Sequence, residues 1–427
     1  MNIKNLPLNI AMIGCGGYSG TLRSAISKIP ELGRLIAVTT RNAENDAAQE
    51  CTAAGVAIYK DVDDLFKHIT PQTCSAIVIP TGIDSHFEYT KRAVENGFHV
   101  MLEKPPVATV QELDKLIELQ RHTGKWIFVN FQHLFTSSTA EIKNRVMSGE
   151  FGPVKSVHAH ALWRRPEEYF RRNVWSGRLR INGGWVLDGT VGNPLAHLMA
   201  EAQYLGNSGA GMLVPARIQA ELYHANTIES EDTSAVRIQA DNGVKLFFSA
   251  SLATGEFGTT VCEIYTENAK ITLTEYRLVD IEFNDGRKEY HDFTEKDDGV
   301  FSRTAMLSSM IRSINGEPPL ITVEECRPFM LAWNGAFESA GIPSAIGAEF
   351  MTIEQRGQST FRCIKDIAGH VRKMAGEGLM FSEAGIPWAS PGQLVDMRNY
   401  THFPSLNYGL IELGKMPASR RGPEKDS

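Results

Sequence analysis

Short apolar runs alternate with amphipathic stretches over the first third of the chain. Leu8 to Ile13 reads as a strand that runs straight into glycines. Gly20 to Ile29 reads as a helix that ends near Pro30, and Leu35 to Thr39 as the next strand. Ala76 to Ile79 is a later strand bounded by Pro80. Phe87 to Asn96 is helical and stops at Gly97, where glycine can take the left-handed backbone that ends a helix. Phe98 to Leu102 is an apolar strand. Val110 to Thr123 is a helix stopped by Gly124, and Trp126 to Asn130 is one more strand. Strands alternating with helices predict a parallel, doubly wound α/β sheet.

The pattern then changes. Val154 to Trp163, Ala216 to His224, Ser234 to Ala240, Val244 to Ala250, Thr259 to Thr266, Lys270 to Glu275 and Leu278 to Phe283 are strand-like. Several alternate polar with apolar residues, as an antiparallel sheet with one wet face requires. Asn284-Asp285-Gly286 supplies a hairpin turn. Helices are expected over Ser302 to Ile314 and Val323 to Glu338. This second region reads as an α+β domain with a large, mainly antiparallel open sheet. The rest shows one helix, Thr352 to Met374, then a Gly/Pro-rich tail whose last residues, Pro417 to Ser427, are expected to be disordered. The resulting division is 1–135, 136–345 and 346–427, with no internal repeat.

Bulk properties set limits. A chain of 427 residues can bury two or three full cores. The net charge of -7 and pI near 6.0 give no general attraction to nucleic acid or an anionic membrane. Nothing resembles a membrane span or a secretion signal. The six cysteines form no CxxC pair, so reduced thiols in a cytoplasmic protein are expected, with no metal.

Two features carry chemistry in the first region. Gly14-Cys15-Gly16-Gly17-Tyr18-Ser19-Gly20 follows a strand and opens a helix. Glycines there let the backbone turn and approach a pyrophosphate, which the helix N-terminus attracts. Ser19 holds the third position of that fingerprint. The next strand ends Thr39-Thr40-Arg41-Asn42 with no acid at the edge to bind a free ribose 2′-hydroxyl. Arg41 can pair with a 2′-phosphate and Thr40 can bond to it, which favours NADP over NAD. The second feature is Glu103-Lys104-Pro105-Pro106 at a strand end. Folding does not need an acid and a lysine there, where an α/β sheet places ligands.

With these motifs in place, the chain resembles the Gfo/Idh/MocA oxidoreductases. Besides the glycine turn, the resemblance rests on Thr81-Gly82-Ile83-Asp84-Ser85-His86, on Ala93 through Glu103-Lys104-Pro105, and on Ser148-Gly149-Glu150-Phe151-Gly152-Pro153-Val154. It spans about Ile10 to Ala340, and Gly82 departs from the family's proline. The resemblance implies a Rossmann-type first domain, with Lys104 bonding the nicotinamide ribose and the reacting hydroxyl, and Glu103 and His86 near the cofactor. Hydride leaves a secondary alcohol only as its proton leaves, so a cation at the oxygen and a base are both required.

The resemblance also bears on Gly183 through His197. The family pattern is a glycine pair, then Asp, then His four residues later. Counting back from Tyr204-Leu205-Gly206 puts that histidine at His197, with Asn193 in the Asp position and Asp188 as an alternative orienter. Asn193 and His197 are four apart and would share one helix face; alternatively, Asn193-Pro194 reads as a plain helix start with His197 a core residue. His133, after Asn130-Phe131-Gln132, is the next candidate base. Finally, Trp163-Arg164-Arg165-Pro166 through Tyr169, Arg171, Arg172, Trp175 and Arg178 mixes rings with guanidinium groups. That composition suits a polyol or an oligomer interface; Arg164, Tyr169, Trp175, Asn193 and His133 are the candidate substrate contacts.

The expected protein is an NAD(P)-dependent oxidoreductase acting on a hydroxyl or keto group of a carbohydrate-like small molecule, and a homo-oligomer through its open sheet. Two alternatives stay open: a glycoside-cleaving enzyme that uses bound NAD(P) transiently, and a nucleotide-sensing regulator without catalysis.

Overall fold

The structure is a computed structural model that describes residues 6–405. The expected disorder at 417–427 lies outside the described residues. The chain begins β1 (Leu8–Met12), α1 (Tyr18–Ser27), β2 (Gly33–Thr39), α2 (Asp46–Ala53), β3 (Ala57–Tyr59), α3 (Val62–His68), β4 (Ala76–Ile79), α4 (Ile83–Glu95), β5 (His99–Glu103), α5 (Val110–Thr123) and β6 (Ile127–Asn130). These strands form one parallel sheet in the order β3-β2-β1-β4-β5-β6. The order reverses between β1 and β4, the crevice where doubly wound sheets bind ligands at their carboxyl ends. β4 is buried throughout and β5 from Val100 onward, as strands covered on both faces must be. The sequence reading passed over α2, β3 and α3. Asn45 and Asp61 start these short helices by accepting the amides of Ala48 and Asp64.

The chain continues with α6 (Ser137–Met147), β7 (Val154–Trp163), a small hairpin β8 (Arg180–Ile181) and β9 (Gly184–Trp185), α7 (Ala196–Gly206), β10 (Pro215–His224), β11 (Thr233–Ala240), β12 (Lys245–Ser251), β13 (Phe257–Thr266), β14 (Ala269–Thr274), β15 (Leu278–Phe283), β16 (Lys288–Asp292), α8 (Phe301–Ile314), α9 (Arg327–Ala340), β17 (Ser344–Ala345), β18 (Met351–Arg356), β19 (Ser359–Ile364), α10 (Ile367–Glu377) and β20 (Val395–Asp396). A ten-stranded sheet runs β16-β15-β14-β13-β7-β12-β11-β10-β17, with β20 beside β10. It is mainly antiparallel; β7 runs parallel to β12, and β10 parallel to β17. α7 is buried along its whole length. No described helix is long and apolar enough to cross a membrane, and all six cysteines are buried and free.

The chain divides into two compact units: 1–107 with 112–136 and 295–327, and 108–111 with 137–294 and 328–427. The units interleave where the sequence reading ran in consecutive blocks. Segment 295–327 lies in the first unit because α8 carries an apolar stripe. Met306, Leu307, Met310 and Ile311 pack into the core formed by Leu8, Ile10, Leu22 and Ile26. Ile321 to Val323 then pairs along β6, with the Val129 amide donating to Ile321 and the Val323 amide to Ile127. This pairing delays the helix expected at Val323 until Arg327.

The helix expected over Thr352 to Met374 is a correction. Its first half is the hairpin β18–β19, turned at Gly357 with φ +62°, and only Ile367–Glu377 is helical. Alternating Thr352, Glu354 and Arg356 with Thr360 and Arg362 suits strands better than a helix. Successive residues of β7 show where this segment goes. A Cβ on Gly206 of α7 would meet Val157, whereas the Ala375 carbonyl of α10 meets His158 Nδ1 at 2.5 Å. Neighbouring strand residues point to opposite faces, so α7 and α10 cover opposite sides of the sheet. Val371, Met374, Met380, Phe381 and Ile386 pack with Leu162, Tyr223 and Ala235 into one core. Part of the sheet face on which association was expected is therefore covered by the chain's own residues.

Candidate active site

In the first unit, β1 delivers the chain to Gly14 (φ +103°) and Gly17 (φ +59°), both in the left-handed region that favours glycine. The Gly14 amide donates to Thr39 Oγ1 at 2.9 Å, tying the ends of β1 and β2 together. A Cβ at Gly16 or Gly17 would meet nothing within 4 Å, so these glycines leave open space above the turn. No side chain caps α1, and no acidic residue occupies its first turn. An open turn at an uncapped helix N-terminus fits a pyrophosphate. Ser19 is buried, with its Oγ at 3.4 Å from a Cβ built on Gly14; a small residue is what the spacing accepts there.

Beside the turn lies a cavity of about 430 Å³ lined by Gly14, Thr39, Thr40, Arg41, Lys60 and Thr81, among others. Arg41 and Lys60 are both exposed, and neither has a carboxylate within 4 Å among the described residues. Thr40 Oγ1 is engaged with Asn42 at 3.1 Å inside the turn. Thr81 bonds Ser85 through its hydroxyl.

β5 ends at Glu103, whose carboxylate is buried. One oxygen accepts the Lys104 amide at 3.0 Å and the other accepts Asn130 Nδ2 at the end of β6. Burial pushes its pKa up to about 7, opposed by the Lys104 charge. His86 is buried at the start of α4 and sits between the Pro105 carbonyl (2.9 Å) and the Thr81 carbonyl (3.0 Å). It thereby clamps the turn after Lys104 to the end of β4. Burial lowers its pKa, so it stays neutral. Tyr18 donates to Gln132 at 2.9 Å and accepts from Arg303 Nε at 3.1 Å. His133 is held near 3, first by burial and then by the charges of Arg303 and Lys104.

In the second unit, Leu187 adopts φ +47°, a left-handed conformation uncommon outside glycine, directly before Asp188. The buried Asp188 carboxylate accepts Asn193 Nδ2 at 2.6 Å and the Gly177 amide at 2.7 Å. α7 begins at Ala196, with Leu195 rather than Asn193 at its cap. The expectation that Asn193 starts the helix and shares a face with His197 is therefore corrected: the Asn193 side chain is spent on Asp188. His197 lies in the first turn of α7 and is buried. The loop rests on Glu231, a fully buried carboxylate accepting Thr190 Oγ1, the Val191 amide and Ser230 Oγ. Burial raises its pKa to about 7.

The aromatic–arginine segment is tied to this loop through the Gly177 amide. Arg164 is engaged by the Gly255 carbonyl at 3.0 Å and lies over Phe361. Arg165 and Arg172 lie over the Tyr169 ring, 5.1 and 3.8 Å from its centroid. Arg172 is also 5.1 Å over Trp175. Among the described residues no group of His, Cys, Asp and Glu is arranged to hold a metal ion.

Sequence reasoning missed Thr39, Lys60, Asn130, Arg303 and Glu231. Asn130 was legible as a polar residue ending an apolar strand at a carboxyl edge. Arg303 had no signal, since it reaches Tyr18 only because α8 packs back onto α1.

Comparisons with known proteins agree with this architecture. Residues 8–131 match the family described as "Oxidoreductase family, NAD-binding Rossmann fold", and residues 139–272 match the "GFO/IDH/MocA C-terminal domain". The chain is similar to D-glucoside 3-dehydrogenase of Escherichia coli (strain K12), 27% identical over 158 residues, covering 37% of this chain and 44% of that protein. It is similar to inositol 2-dehydrogenase 2 of Saccharopolyspora erythraea, 26% identical over 159 residues, 36% of this chain and 45% of that protein. These matches span less than half the length of either relative. Among solved structures, levoglucosan dehydrogenase with NADH and levoglucosan superposes with a TM-score of 0.68 at 18% identity, covering 78% of this chain and 97% of that one. The WlbA dehydrogenase from Bordetella pertussis with NADH and UDP-GlcNAcA gives 0.66 at 20% identity, covering 78% and 96%. At these identities the likeness is one of fold. Because the two family domains together match more than half of the residues, the chain belongs to the Gfo/Idh/MocA oxidoreductase family.

Proposed function

We propose that this chain is an NAD(P)-dependent dehydrogenase or reductase acting on a secondary hydroxyl or keto group of a sugar-like molecule. The observation that carries the reading is Glu103. It is a buried carboxylate bonded by the Lys104 amide and Asn130, at the carboxyl edge of a parallel sheet and in the same unit as an open glycine turn. That arrangement fixes the backbone from which Lys104 projects.

When bound, the nicotinamide nucleotide supplies the hydride acceptor or donor. Gly14, Gly16, Gly17, Tyr18 and Ser19 would hold its pyrophosphate at the α1 N-terminus. Thr81, His86 and Glu103 would shape the nicotinamide end. Arg41, Thr40 and Lys60 favour NADP, because two exposed cations without carboxylate partners line the cavity beside the turn. Lys104 stabilises negative charge developing on the reacting oxygen. His197 in the second unit is the proposed base, with Asp188 and Asn193 setting the loop before it. The bonded Asp188–Asn193 pair puts a carboxylate into this loop although asparagine stands in the family's Asp position.

The test is reduction of NADP or NAD by a panel of sugars and cyclitols. Binding of nucleotide with no turnover on any of them, in either direction, would favour the regulator. Glycoside cleavage without net nucleotide reduction would favour the transient-oxidation mechanism. With His197 as base, the pH–rate profile has a limb at about 6–7. His197→Asn then abolishes that limb while nucleotide still binds. A surviving limb places the base elsewhere.

A further inference from the structure

The rings and guanidinium groups between Trp163 and Trp175 interleave in space as well as in sequence. Arg165 lies 5.0 Å over Trp163 and 5.1 Å over Tyr169. Arg172 lies 3.8 Å over Tyr169 and 5.1 Å over Trp175. The series is therefore ring, cation, ring, cation, ring, with Tyr169 shared by both cations.

The charge on this stack is unbalanced. Neither Arg165 nor Arg172 has a carboxylate within 4 Å among the described residues, whereas Arg171 pairs with Glu167 and Arg178 with Glu229. Glu167 also holds Arg362 and Glu168 accepts the Thr360 amide, while Asp188, bonded by the neutral donors Asn193 and Gly177, reaches Tyr169 through its field. Arg165 is half-buried, and its Nε is buried with no hydrogen-bond partner. A buried, unpaired guanidinium N–H is costly. The ring faces and the Tyr169 hydroxyl ease the cost at the rest of the Arg165 side chain without giving Nε a partner. Two cations sharing one ring also repel each other, and a bound anion reverses that repulsion.

We propose that the substrate carries an anionic oxygen group, a carboxylate or a phosphate, bound by Arg165 and Arg172 at the Tyr169 ring. The planar fork of guanidinium matches either oxyanion with paired hydrogen bonds. Trp163 and Trp175 supply faces for the C–H surface of the sugar that bears it. The Gly177 amide on Asp188 links this stack to the loop before His197. The proposal rests on the sugar-dehydrogenase reading above and narrows its substrate to acidic sugars.

The experiment is a titration of nucleotide-saturated protein with matched pairs: glucuronate against glucose, and glucose 6-phosphate against glucose. Saturation keeps the phosphates of the nucleotide out of the competition. Binding is followed by calorimetry, and turnover by nucleotide reduction in the same samples. At least one anionic member should bind about tenfold or more tightly than its neutral partner, with affinity falling as salt rises. The favoured member tells carboxylate from phosphate. Arg165→Gln should erase the preference. Arg172→Gln, at an exposed position, is the second variant should Arg165→Gln fail to fold. Equal affinity within both pairs overturns the proposal, as does a preference that survives in both variants. A neutral sugar turned over without anionic preference sinks this inference and leaves the dehydrogenase standing. Anion preference without nucleotide reduction on any sugar does the reverse.

Discussion

The two units assemble their candidate chemistry in opposite ways. In the first, the side chains stand at the carboxyl ends of parallel strands: Gly14 after β1, Thr39 to Arg41 at the end of β2, Thr81 after β4, Glu103 and Lys104 at β5, Asn130 at β6. A parallel sheet brings strand ends to one edge automatically, so short contiguous motifs suffice. In the second, the strands of the ten-stranded sheet are scaffold. The candidate residues sit on two segments, 163–178 and 186–197, gathered around the buried carboxylates of Asp188 and Glu231. An antiparallel sheet has no common edge of this kind, and its loops are held by side-chain hydrogen bonds, some local, as at Asp188, and some long-range, as at Glu231.

The comparison predicts that strand-end residues of the first unit act on chemistry and loop glycines of the second act on stability. The largest effect belongs to Lys104→Ala. It should cut turnover roughly a hundredfold or more while nucleotide affinity stays within about an order of magnitude. Near-normal turnover would remove Lys104 from the mechanism. Next comes Arg41→Ala, which should weaken NADP by about 1.5–3 kcal/mol and NAD by much less. Equal losses, measured by titration of both nucleotides, would contradict the preference for NADP.

In the second unit, a Cβ at Gly192 would come within 2.2 Å of the buried Trp333 ring. Gly192→Ala should therefore destabilise the protein by about 1–3 kcal/mol in denaturant unfolding, through overpacking. Unchanged stability would show that the ring moves aside freely. The smallest effect is a pH slope. Burial raises the Glu201 pKa from 4.5 to about 8, with Thr139 as its hydrogen-bond donor. A raised folded-state value means that its contribution is fully present in acid and is lost as pH rises through that value. Glu201→Gln, which imitates the protonated form, should match the parent in melting temperature on the acid side and exceed it on the alkaline side. Parallel melting profiles would show that Glu201 ionises at no cost.

Much of the first unit was legible because its signals are local. Apolar runs bounded by breakers such as Pro30, Pro80, Gly97 and Gly124 marked β1, β2, β4 to β6 and three of the helices. The short α2 and α3 were not, since each is fixed by one capping side chain rather than by a long apolar stripe. Most strands of the second sheet were legible from alternation. The hairpin β18–β19 was misread as helix because its exposed residues, Thr352, Ile353, Gln355 and Arg356, give no clear apolar period. Of the candidate residues, Asp188 and Asn193 were both named, yet their mutual bond was not foreseen, because nearby spacing says nothing of which side chain turns toward which.

Strands β1, β2 and β4 to β6, most strands of the large sheet, the glycine turn and the Glu103-Lys104 strand end follow from the sequence alone, since each depends on neighbours a few residues away. Tertiary structure decided the rest. The return of α8 brings Arg303 to Tyr18, and the burial of Glu103 sets its proton affinity. Asn193 is turned onto Asp188, and α10 lies over one face of the large sheet. Each of these joins groups far apart in the chain, depends on what water is excluded, or turns on which way a nearby side chain points, and none is written in a local pattern.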